Sequence, residues 1–142
     1  MDRIALDTTF LIDLQNERRG RGQVRGARAF LESHPETELL LPAVALGEYL
    51  EGFSDPSLPE ARSLVDPLKI LEITEAVAHA YAVTVRHLRS AGLLIGTNDL
   101  WIGCTARAAN LPLATRNTEH FSRIPGLQVI AYSTQPSGKT AP

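Results

Sequence analysis

Short apolar runs at residues 4–6, 38–41, 70–73, 113–115 and 128–130 alternate with stretches of helical periodicity, and this alternation is the strongest constraint on the fold. Strands that are apolar throughout, rather than at every second residue, are buried on both faces, and the helices between them supply the covering layers. Right-handed crossovers then give a parallel sheet of about five strands inside an α/β/α sandwich. The chain has 142 residues, 44% of them hydrophobic, which is enough for one sizeable core. We read residues 1–132 as one domain and residues 133–142, rich in Ser, Thr, Pro and Gly, as a flexible tail.

The helices have their own punctuation. The polar step Asp7-Thr8-Thr9 caps a helix beginning near Phe10, and residues 27–33 form a helix stopped by His34-Pro35. Pro42 starts a helix with Leu46, Tyr49, Leu50 and Phe53 on one stripe, ending at Gly52 in a left-handed cap. A helix over residues 60–65 follows. Thr74 caps a long core helix reaching Ala91, with Val77, Tyr81, Val85 and Leu88 as its apolar stripe and Gly92 as its stop. Thr97-Asn98-Asp99 caps the next one, residues 100–110.

Composition excludes several functions. No apolar stretch approaches the ~20 residues of a membrane span, and the N-terminus lacks the basic and apolar regions of a signal peptide, so a cytoplasmic protein is expected. Cys104 is the single cysteine, which rules out an internal disulfide, dithiol redox chemistry and a cysteine metal cluster. The net charge of −2 gives no general attraction for nucleic acid. The local balance differs. Arg18, Arg19, Arg21, Arg25 and Arg28 crowd one stretch that is either a solvated loop or a phosphate-binding patch.

In an open parallel sheet, ligands bind beyond the carboxyl ends of the strands. The polar residues placed there are acidic: Asp7 after the first strand, Glu48 in the helix after the second, and Asp99 at the head of the helix before the fourth. Each alone is compatible with helix capping or a solvated helix surface. Together they are costly, because Asp99 shares a face with the small residues Gly103 and Ala106, and no lysine or histidine is evidently placed to neutralise the group. A divalent cation would do so, and oxygen-only ligation is the manner of Mg²⁺ or Mn²⁺. After the fourth strand, Thr115 is placed to orient Asp99, Asn117 to hold a water, and Arg116 to meet phosphate. His120 has no second histidine or cysteine at ligand spacing and reads as structural or exposed.

The segments Leu6-Asp7-Thr8-Thr9-Phe10-Leu11-Ile12-Asp13, Leu46-Gly47-Glu48-Tyr49, Thr97-Asn98-Asp99-Leu100-Trp101-Ile102 and Ala114-Thr115-Arg116-Asn117, in this order, resemble the PIN-domain ribonucleases of the VapC toxin type. The resemblance runs from residue 1 to about residue 132. It implies a PIN-like sandwich and a Mg²⁺-dependent endoribonuclease held in check by a VapB-like antitoxin. It also implies an RNA substrate and a homodimer. By position, Asp7, Glu48 and Asp99 match the family's three acids and would hold the metal. Asn117 stands where many relatives have aspartate, making it the fourth catalytic position, while Arg116 and Thr115 lie where substrate would be bound. Glu119-His120 precede Phe121 where some relatives place an acid, and Thr9 replaces a common asparagine.

Two other readings compete. A phosphatase of the haloacid dehalogenase type needs a second aspartate where Thr9 stands. A non-catalytic module binding RNA or antitoxin would have no use for all three acids.

Overall fold

The computed structural model describes residues 2–133, so the tail expected at residues 133–142 lies, apart from Ser133, outside the described residues. The central strand, β1 (Arg3–Leu6), pairs in parallel with β2 (Glu38–Pro42) on one side and β4 (Leu113–Thr115) on the other. Outside them lie β3 (Lys69–Leu71) and β5 (Val129–Ala131), giving the order β3-β2-β1-β4-β5, all parallel. Chain direction across the sheet therefore reverses at the β1/β4 boundary. Such a reversal opens a crevice at the strands' carboxyl ends, and both Asp7 and Thr115 stand at that point.

Helices α1 (Thr8–Arg18) and α2 (Ala27–Ser33) connect β1 to β2, and α3 (Ala43–Glu51) and the single turn α4 (Pro59–Arg62) connect β2 to β3. The return to β4 uses α5 (Glu75–Ala91) and α6 (Thr97–Ala108), and the short α7 (Thr118–Phe121) leads to β5. Ile4, Ala5, Leu6, Leu40, Leu41, Leu113 and Ala114 from the three inner strands are all buried, as expected of strands covered on both faces. Phe10 of α1 packs edge-on against Phe30 of α2 and against Tyr132, with ring centroids 5.6 and 4.9 Å apart.

Several expected boundaries move. Asp7 itself is the N-cap of α1, accepting from the Phe10 N–H, so the helix starts at Thr8 and not at Phe10. Gly96 caps α6, which places Thr97, Asn98 and Asp99 inside its first turn, and Asn110 lies beyond its end with φ 57°. Gly52 has φ −72°, so it needs none of glycine's left-handed freedom. Gly92 does occupy that region at φ 71°, and Thr74 caps α5 as read. The expected helix at 60–65 shrinks to α4 with turns behind it, and the third strand stops at Leu71.

The long helix α5 lies against α6 rather than in the main core. Its buried line is Val77, Ala80, Thr84 and Leu88, with Tyr81 displaced to the flank, where its ring stacks on Trp101 at 3.8 Å. The reason is geometric: Tyr81 and Val85 lie one residue off the line that meets small-residue α6 squarely.

Gly103 of α6 is one place where absence of a side chain matters. A Cβ there would overlap Cδ1 of Ile124 and press on Phe121 at 3.3 Å and Leu127 at 3.4 Å. Gly103→Ala is therefore expected to destabilise by about 1–3 kcal/mol through overpacking, despite alanine's better helix propensity. Urea unfolding measures it. An alanine variant as stable as the parent would show that Ile124 can yield.

Candidate active site

Asp7 is set by β1, which delivers it into the core at the reversal point, and its side chain is almost entirely enclosed at 2% exposure. It accepts the Phe10 N–H at 3.0 Å, the Thr9 hydroxyl at 2.8 Å and the Thr115 hydroxyl at 2.5 Å. Burial outweighs those donors, and Asp99 adds repulsion, so the Asp7 carboxyl is pushed up from 3.8 to about 6. Thr115 itself is fully buried, held also by the Asn117 N–H at 2.9 Å. This corrects two expectations at once. Thr115 orients Asp7, not Asp99, and it has no surface with which to touch a substrate.

Asp99 projects from the first turn of α6 and remains partly exposed. Burial raises its pKa first, Glu48 raises it further, and His120 opposes both. His120 Nδ1 lies 4.0 Å from Asp99 Oδ2 and 3.0 Å from Asn117 Nδ2. A histidine does stand beside the acids, contrary to the sequence expectation, because α7 turns it back over the head of α6. Glu48 of α3 is gripped by two helix heads: Thr8 donates to Oε1 at 2.6 Å and Asn98 to Oε2 at 2.8 Å. Neither Thr8 nor Asn98 was singled out from sequence, although each flanks a matched acid in the quoted segments.

Asp7, Asp99 and Glu48 thus form a chain of repelling carboxylates at one sheet edge, with Asp99 in the middle. Among the described residues, no three His, Cys, Asp or Glu side chains close into a cage that would grip an ion by protein atoms alone. The donor set is oxygen-rich and open, which fits a hard cation that keeps several of its waters. The Arg116 guanidinium is held in place by Asp13, which accepts from Nε and Nη2 at 2.7 and 3.2 Å.

The site has a definite pH signature. The folded chain binds a proton at Asp7 more tightly than the unfolded chain, so stability from this group is present below pH 3.8 and falls as pH rises toward 6. The loss is about 3 kcal/mol for a shift of this size. Asp7→Asn keeps a competent cap, loses about one hydrogen bond, and removes the buried charge. Without metal at pH 7 it should be more stable than the parent by on the order of 1–2 kcal/mol, with a flatter profile between pH 4 and 6. Thermal melts across that range decide it; a variant clearly less stable at pH 7 would mean capping outweighs repulsion.

The family model for the PIN domain matches residues 4–127. The chain belongs to the PIN-domain family. Among curated relatives of this PIN domain, Ribonuclease VapC1 of Methanocaldococcus jannaschii is 31% identical over 123 residues, covering 86% of the chain and 81% of the relative. Ribonuclease VapC4 of Mycobacterium tuberculosis is 35% identical over 94 residues, 61% of the chain and 72% of the relative. Among solved structures, VapBC-1 from nontypeable Haemophilus influenzae aligns with TM-score 0.69 at 26% identity, covering 91% and 97% of the two chains. VapBC2 from Rickettsia felis, bound to a DNA fragment from the promoter, aligns with TM-score 0.77 at 24% identity over 92% and 99%, a likeness of fold. The α/β/α sandwich read from the strand pattern is the PIN fold.

Proposed function

We propose that this PIN-domain endoribonuclease, the toxin of a VapBC-like pair, cleaves RNA with a Mg²⁺ ion held by Asp7, Asp99 and Glu48. The supporting observation is the row of repelling carboxylates at the sheet's reversal point, of which Asp7 and Glu48 are fixed by their own hydrogen-bond donors. When bound, the ion supplies Lewis acidity toward a phosphodiester oxygen and makes water more acidic. Mn²⁺ fits the same oxygen donors.

The protein's own work is orientation and proton transfer. Thr115, Thr9 and the Phe10 N–H fix both oxygens of Asp7, while Thr8 and Asn98 fix Glu48. Asp99 is then the acid left without a short hydrogen bond among the described residues, and it is partly open to solvent. It is the carboxylate placed to take the proton from an attacking water. Asn117, beside His120, is placed to hold that water or the substrate.

A VapB-like antitoxin is the expected partner, by similarity to the VapBC structures whose fold this chain shares. Self-association into a homodimer is expected to use exposed apolar side chains such as Val83 on α5 and Leu93-Leu94 behind it. No described helix is long and apolar enough to cross a membrane; we place the protein in the cytoplasm.

The deciding experiment is cleavage of total RNA with Mg²⁺, with and without EDTA, alongside a melt in millimolar Mg²⁺. Cleavage abolished by EDTA and a raised Tm are expected. RNA retained but uncut by the parent chain would replace the nuclease with a binding module, and a Tm indifferent to Mg²⁺ would remove the metal site. A small protein encoded next to the chain should copurify and suppress cleavage.

A further inference from the structure

Asp13 carries a buried charge that cleavage does not use. It lies on α1 with a side chain only 5% exposed. Its carboxylate accepts from Arg116 twice and from the Tyr132 hydroxyl at 2.7 Å. Tyr132 is buried against Phe10, and burial together with the Asp13 acceptor pushes its hydroxyl far above the ordinary tyrosine range, so it stays a donor. The two partners differ in access. The Arg116 side chain is 38% exposed, and its bonds to Asp13 use Nε and Nη2, with Tyr132 beside the same guanidinium.

Stability alone is a poor reason for this arrangement, since a buried ion pair is commonly matched or bettered by apolar residues of equal volume. What it does accomplish is to hold a guanidinium plane still. Arg116 follows Thr115, which holds Asp7, and precedes Asn117, which meets His120 next to Asp99, so its backbone runs past the acid site while its guanidinium is tied to Asp13. A guanidinium offers planar forked recognition of phosphate that an ammonium does not. We infer that Asp13, locked by Tyr132, is a positioning residue that sets Arg116 to take a phosphate oxygen of the RNA beside the one being cut. The inference rests on the ribonuclease reading and adds to it the group that counters the acids' repulsion of the RNA backbone.

The test uses the full chain in an Asp99→Asn background and a fluorescein-labelled single-stranded oligoribonucleotide, with anisotropy titrations repeated at several salt concentrations. Arg116→Gln is expected to weaken binding about tenfold and to lower the slope of log K against log salt by about 0.7. Arg116→Lys should keep the slope while losing affinity. Asp13→Asn should also weaken binding, although it removes a negative charge and simple attraction would tighten it. Tyr132→Phe, which keeps the apolar packing, should weaken it less, and it answers the question if Asp13→Asn fails to fold.

Variants that melt lower yet bind with the parent's affinity and salt slope would make the pair purely structural and overturn the inference. Tighter binding by Asp13→Asn would do so as well. A wild-type chain that neither cuts nor binds RNA would instead bring down the nuclease reading itself, which the unmutated control reveals separately.

Discussion

Asp99→Asn is expected to lower kcat/KM on RNA by about three orders of magnitude while leaving the fold intact. Asp99 repels Asp7 and is repelled by Glu48, so in the proposed site it is the group that an ion shared by the three acids would depend on most. Asparagine keeps the shape and a carbonyl oxygen but loses the charge that binds a cation and the basicity that accepts a proton. Lewis-acid stabilisation worth several kcal/mol corresponds to about a thousandfold in rate. The side chain is partly exposed in the first turn of α6, where losing the helix-dipole contribution of an acid, under about 1 kcal/mol, is opposed by relief of the burial and Glu48 repulsion that raise its pKa. Initial rates on a defined RNA, with a melt on the same sample, make the measurement. Retention of more than a tenth of the parent's rate would remove Asp99 from the chemistry.

The largest stability effect belongs to Phe10→Ala. The ring is fully buried, wedged between Phe30 and Tyr132, and it binds α1 and α2 to the sheet. Truncation loses transfer free energy and leaves a cavity, together costing about 3–5 kcal/mol. For a domain of this size that lowers Tm by on the order of 10–20 °C, and it removes a large share of the 5–15 kcal/mol typical of such domains. Denaturant unfolding with an unchanged m-value would confirm the mechanism. A loss below about 1 kcal/mol would mean that neighbouring side chains collapse into the space. The same residue's N–H holds Asp7, so the variant links packing to the site: its activity should fall further than its folded fraction explains.

The strands and the three acids were legible because both follow from local rules. Runs without alternation marked strands covered on two faces, and the carboxyl-end rule then indicated where Asp7, Glu48 and Asp99 would meet. Asp13 was not legible as a partner of Arg116, since the two are far apart along the chain and nothing in the local pattern of either announces the other. The face of α1 that enters the core carries Thr9 and Asp13 among its apolar residues, which also hides its amphipathic pattern. His120 was dismissed for lacking a second metal ligand, whereas its place follows from the turn made by α7. The arginine-rich stretch held another surprise. Glu17 accepts the N–H groups of Arg25, Gly26, Ala27 and Arg28 at 3.0–3.2 Å, so one carboxylate closes the loop and caps α2. Sequence inspection sees only the excess of positive charge there.

The sheet order has a consequence for how such a chain is made. β1 becomes the middle of the sheet, and its second neighbour, β4, is translated more than a hundred residues after it. A half-synthesised polypeptide can pair β1 with β2 and still lack Asp99 and the hydroxyl that seats Asp7. The seat of Asp7 is thus assembled only when β1 meets a strand translated long after it, a pairing of high sequence separation that forms slowly.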